Sequence, residues 1–113
     1  MANKIMKNID MATPLSLTAL VTYQTGQIVS RTLVQNRGVS LTLFAFDTNE
    51  EISSHKSKGD AMVQILDGKA NITIGEGTYF LSAGETVVMP AGVPHALEAV
   101  EPFKMLLTVV FPN

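Results

Sequence analysis

The chain predicts one all-β domain whose strands close into a sandwich or an antiparallel barrel. Three observations lead there. Its 113 residues suit a single domain and leave no room for two ordinary ones. Apolar residues make up 46% of the chain and charged residues 16%, enough apolar surface to offset the entropy of ordering. From residue 28 onward, runs of β-branched and aromatic residues alternate with turn residues at intervals of about 6–12 positions. After residue 25 no amphipathic helical pattern of about ten residues interrupts them.

The elements follow in order. Residues 1–24 form an N-terminal segment, packed on the barrel or swapped into it, and residues 25–113 form the barrel domain. Within the segment, residues 9–20 have room for one short helical turn, limited by Pro14. Ile28–Gln35 and Val39–Phe46 pair as a hairpin through Asn36-Arg37-Gly38. Asp47–Ser54 is polar and reads as a loop. Ala61–Leu66 is a strand ended by Asp67-Gly68, and Lys69–Ile74 starts a new one. Thr78–Leu81 and Thr86–Met89 follow the turns at Gly75-Glu76-Gly77 and Ala83-Gly84-Glu85. Pro90 to Pro94 breaks the chain before the last strands, His95–Val100 and Lys104–Phe111.

Composition removes several function classes. Eight basic and ten acidic residues leave a net charge of -2, too little to draw nucleic acid or an anionic membrane. Without cysteine there is no disulfide, thiolate nucleophile or Cys-ligated cluster. Lys4 and Lys7 resemble the basic start of a signal peptide, but Asp10 and Pro14 interrupt the apolar stretch it needs. Met11–Ser30 carries no charge, yet half of it is Thr, Ser, Gln, Gly or Pro, too polar to span a bilayer. A soluble, cytoplasmic protein is expected. The six methionines read as start residue, N-terminal tract and core filler.

Two tracts resemble the paired motifs of the cupin family. The second is nearly complete: Gly84, then Pro90, Ala91 and Gly92, then His95, with Ala99 where the family has Asn. Glycine and proline reverse the chain tightly at the barrel mouth, so that the histidine begins a strand aimed inward. The first motif keeps His55 and Gly68, while Ser57 and Ala61 stand at the positions of a second His and a Glu. The resemblance covers roughly residues 25–111. It implies a jelly-roll barrel with His55 and His95 at its mouth, converging within about 4 Å to share one metal or one anionic group.

A cupin metal centre resembles three histidines and one carboxylate around Fe, Mn, Ni, Cu or Zn. Here His55 and His95 match that set, and Asp60 is the acid nearest the lost Glu. On a regular strand Asp60 faces away from the site, unless a bulge at Gly59 turns it inward. Gln64 and Glu98 face away by the same parity. Ser57 keeps the parity of His55 and has a hydroxyl for a bound molecule, and Lys56 and Lys58 favour an anionic ligand at the rim. Against these stand plainer roles: a solvated loop histidine, a small residue at a vacated position, a solvated rim.

The resemblance implies a cupin that binds a small molecule in the barrel cavity, with a weak or degenerate site for a divalent transition metal. The alternatives are a metal-dependent isomerase, decarboxylase or dioxygenase, and a sensory or accessory protein acting through a partner. A fold of this kind hosts many functions and does not choose between them. The low charge and high apolar content also point to a homodimer, with interface strands from the N-terminal half. No nucleic-acid or membrane partner is expected.

Overall fold

A computed structural model describes residues 5–113; Met1 and Lys4 lie outside the described residues. Eight strands follow a short 3-10 turn at Leu17–Leu20, three residues beyond Pro14. They are β1 (Ile28–Gln35), β2 (Val39–Phe46), β3 (Glu51–His55), β4 (Asp60–Ile74), β5 (Gly77–Ser82), β6 (Thr86–Met89), β7 (His95–Glu98) and β8 (Phe103–Val110). All pairings are antiparallel. Strands β1, β2, β8, β4 and β6 make one sheet, and β5, β4, β7 and β3 the other.

Strand β4 belongs to both sheets, and this corrects the expected turn at Asp67-Gly68. The register against β8 shifts between Ile65 and Asp67, and Gly68 has φ +74°. The extra residue bends the strand from one sheet into the next, where a turn would have ended it. Only glycine fits there, since a Cβ would collide with the Pro102 carbonyl oxygen.

The second correction concerns Asp47–Ser54. Residues 51–55 form β3, an edge strand whose only apolar side chain is Ile52. Edge strands tolerate polar sequence because one side of the ladder is already open to water.

Between the sheets the interior is filled. Phe46 stacks on Phe103 with ring centroids 4.4 Å apart, and Val63, Ile65, Ile72, Met89 and Met105 complete a fully buried core. A second cluster lies on the outer side of β1 and β2, where Val21, Leu17 and Leu20 of the N-terminal segment pack with Leu33, Val34, Leu43 and Ala45. Polar ties fix that segment. Arg31 donates to the carbonyls of Asn8 and Leu20, and Lys104 donates to that of Thr18.

Candidate functional site

The two inward rows of the β3–β7–β4 sheet explain how the site forms. In one row Ile52, Leu97 and Ile72 lie side by side and enter the core. In the next row, at the barrel mouth, His55, His95 and Ile74 are register partners. From Leu97 to His95 is two residues, so both face inward. From Ile52 to His55 is three, which on a regular strand reverses the face. The register of β3 against β7 shifts between Ile52 and His55, and this irregularity returns His55 to the inward side. A face-turning bulge is present, in β3 and not at Gly59.

The two imidazoles then meet edge to face. Their centroids are 4.3 Å apart at 68°, and Nε2 of His95 lies 3.1 Å from Nε2 of His55. His95 is 3% exposed and His55 is open to solvent. Each Nδ1 rests on the carbonyl oxygen two residues earlier: Ser53 for His55 at 3.0 Å, and Val93 for His95 at 3.2 Å. A carbonyl oxygen only accepts, so each Nδ1 carries a hydrogen. In the neutral pair both Nε2 atoms are therefore acceptors, side by side at 3.1 Å with the rings edge to face. Two acceptors this close are best satisfied by a shared proton or cation.

Burial lowers the pKa of His95; the hydrogen bond to Val93 opposes this, and the neighbouring His55 charge reinforces it. Burial thus favours neutral His95, the state in which imidazole ligates metals.

The other expected site residues have different tasks. Asp60 points outward, its Oδ1 accepting the Ala91 N–H at 2.8 Å, and does not join the histidines. Ser57 accepts the Gly59 N–H on Oγ at 3.1 Å, and its carbonyl accepts the Gly92 N–H at 2.9 Å. Residues beside the vacated ligand positions therefore brace the Pro90–Pro94 turn. Gly75 completes the brace, donating to the Pro94 carbonyl at 2.8 Å. Ala61, at the Glu position, is buried in the core, and Glu98 lies on the outer face. Lys56 and Lys58 are exposed. Among the described residues no three His, Asp or Glu side chains gather as a metal-binding group.

Sequence reasoning missed Ser53 and Val93, whose backbone carbonyls face the two Nδ1 atoms and favour a hydrogen on each. Their shared position, two residues before each histidine, is the only sequence signal, and a main-chain acceptor leaves no trace in residue type.

A double-sheet antiparallel barrel with histidines entering its mouth from two strands defines the class of protein. The chain belongs to the cupin family, whose cupin domain sequence model matches residues 42–111. Its fold matches the crystal structure of a conserved protein of unknown function from Streptococcus pyogenes. The two are 50% identical with a TM-score of 0.97, over 100% of this chain and 99% of that one. A cupin superfamily protein from Desulfitobacterium hafniense is 31% identical with a TM-score of 0.90, over 95% of this chain and 98% of its own. An uncharacterized protein of Streptomyces coelicolor is 29% identical over 79 residues, which are 70% of this chain and 75% of the relative. No described helix is long and apolar enough to cross a membrane.

Proposed function

We propose that this cupin binds a divalent transition metal through Nε2 of His55 and Nε2 of His95, and with it an acidic small molecule at the barrel mouth. One observation carries the reading: the two Nε2 atoms lie 3.1 Å apart, with both Nδ1 atoms committed to carbonyls. That separation is less than twice a metal–imidazole bond of about 2.0–2.1 Å, so a small turn of the exposed His55 ring would let one ion bond both nitrogens. Two imidazoles supply half of the family's donor set. Ala61 has no donor, and Asp60 is engaged with Ala91. The remaining coordination then falls to water and to the bound molecule, with the Ser57 hydroxyl hydrogen beside it and Lys56 and Lys58 at the rim. The metal would act as a Lewis acid, polarising an oxygen of that molecule.

Calorimetric titration with Zn2+, Ni2+, Mn2+ and Fe2+ tests this on untagged protein. One ion per chain, with binding lost in His55→Ala and in His95→Ala, is expected. Failure of every metal to bind would overturn it.

Pairing of two copies belongs to the same proposal. Strand β1, from the N-terminal half, ends its sheet; Lys7 and Asn8 bond its Leu33 and Thr32 carbonyls, and the rest of that edge is the kind that a partner covers. Light scattering at micromolar concentration should give twice the chain mass, and a monomer mass would remove it.

A further inference from the structure

Strand β5 is a sheet edge without the usual protections. It pairs with β4 alone, and among the described residues no strand lies on its other side. Edge strands are ordinarily blunted by charge, proline, shortness or cover. The other edges conform: β1 is tied by Lys7 and Asn8, β3 holds Glu51 and His55, and β6 has four residues and runs into Pro90. Strand β5 has six residues, with no charge and no proline. Thr78, Tyr79 and Phe80 are all exposed, Phe80 by 72%.

Its backbone is set for a partner. The Ala83 N–H donates to the Gly68 carbonyl, so by antiparallel alternation Leu81, Tyr79 and Gly77 turn their N–H and C=O groups to β4. Ser82, Phe80 and Thr78 turn theirs outward. Glu85 Oε1 accepts the Ser82 N–H at 2.8 Å and closes that end. Thr78 and Phe80 each present one donor and one acceptor along the open side.

A second copy of the same strand matches them. With Tyr79 opposite Tyr79 of the second copy, each Thr78 stands opposite a Phe80, and all of these groups bond across the two-fold axis. The two Phe80 rings are then diagonal neighbours about 7–8 Å apart, within aromatic reach. In this register Glu76 of the second copy falls opposite Ser82, whose β4 partner is the exposed Lys69. Lys69 and that Glu76 share a face two strand spacings apart, about 9–10 Å, which two long side chains of opposite charge can span. The neighbouring registers do worse. Centring on Phe80 needs the Ser82 N–H that Glu85 already holds, and centring on Thr78 puts Glu76 opposite Phe80, away from the Lys69 row.

We propose that β5 pairs antiparallel with β5 of a second copy, centred on Tyr79, joining the two β3–β7–β4–β5 sheets into one. The contact is separate from the β1 edge and from the histidine pair. It covers few residues, so it forms at high protein concentration.

The test is amide hydrogen exchange by NMR on the full chain at about 20 µM and about 1 mM, with light scattering at both. On concentration the Thr78 and Phe80 amides should slow by about fivefold or more, with Ser82 unchanged because Glu85 already holds it. The mass should rise in parallel. Phe80→Lys, which charges an exposed edge position, should abolish the slowing. Lys69→Glu should weaken it, and Lys69→Glu combined with Glu76→Lys should restore it, since the two charges only exchange places. Three results would overturn the proposal. The first is equal exchange of Thr78 and Phe80 at both concentrations, which would leave β1 as the contact between copies and β5 open to an extended peptide of another protein. The others are slowing that persists in Phe80→Lys, and a double exchange no better than Lys69→Glu alone.

Discussion

Asp60 and Ala91 are joined across the barrel mouth, the carboxylate of one accepting the backbone N–H of the other at 2.8 Å. The acid nearest the vacated carboxylate position has become a brace for the turn that delivers His95. Asp60→Ala should cost about 1 kcal/mol in urea denaturation, the loss of one partly exposed charge-assisted bond. It should also shift the His95 ring resonances through the Pro90–Pro94 turn. An effect on stability with His95 unmoved would show that the brace does not position the histidine.

Gly68 and Gly92 both have positive φ, yet their surroundings separate them. At Gly92, φ +75°, a Cβ meets nothing within 4 Å, whereas at Gly68 it meets the Pro102 backbone. Gly92→Ala should therefore cost about 1–2 kcal/mol, the strain of a left-handed residue alone. Gly68→Ala adds a collision at the bend of β4 and should exceed about 3 kcal/mol or prevent folding. Equal melting temperatures in the two variants would contradict this.

Much of the barrel was legible because its strands are amphipathic or apolar throughout. Strands β1, β2 and β6 have the expected bounds, since Asn36-Arg37-Gly38 and the Gly84 turn punctuate them clearly. Strand β3 was hidden because Ser53, Ser54 and Glu51 are solvated edge residues with no hydrophobic period. Asp67-Gly68 reads the same whether the chain turns or bulges; only pairing with β8 decides, and that is long-range. At the mouth, His55 and His95 were legible from motif spacing. Their shared row depends on a bulge in β3, and their tautomers depend on main-chain carbonyls, neither of which residue types encode.

Stability should fall in mild acid because of His95. Its folded pKa is depressed by burial, so the unfolded chain binds more protons between the two values. The contribution is full above the unfolded pKa of about 6.5 and is lost as pH drops through the folded value. Melting temperature measured from pH 8 to pH 4 should decline below about pH 6.5, and His95→Gln should flatten that part of the curve. Equal slopes in both proteins would place the acid sensitivity elsewhere.

At the alkaline end Tyr23 takes over. Burial, then its 2.5 Å hydrogen bond to Asp67, pushes the phenol pKa well above the ordinary tyrosine value. Neutral phenol is favoured in the fold, so this contribution holds below about pH 10 and is lost as pH rises further. Tyr23→Phe removes the bond but keeps the ring, which lies 4.9 Å from the Lys104 ammonium. It should cost about 1 kcal/mol near neutral pH, by denaturant titration. An unchanged midpoint would mean that Asp67 is equally well satisfied by water.

The histidine pair is tested most directly by 15N NMR of the two imidazoles near pH 8, before and after one equivalent of Zn2+. Both rings should be Nδ1–H tautomers, each with a bare Nε2 atom, and added metal should shift the two Nε2 resonances together. An Nε2–H tautomer as the main form of either ring, or Nε2 resonances that ignore the metal, would contradict the account.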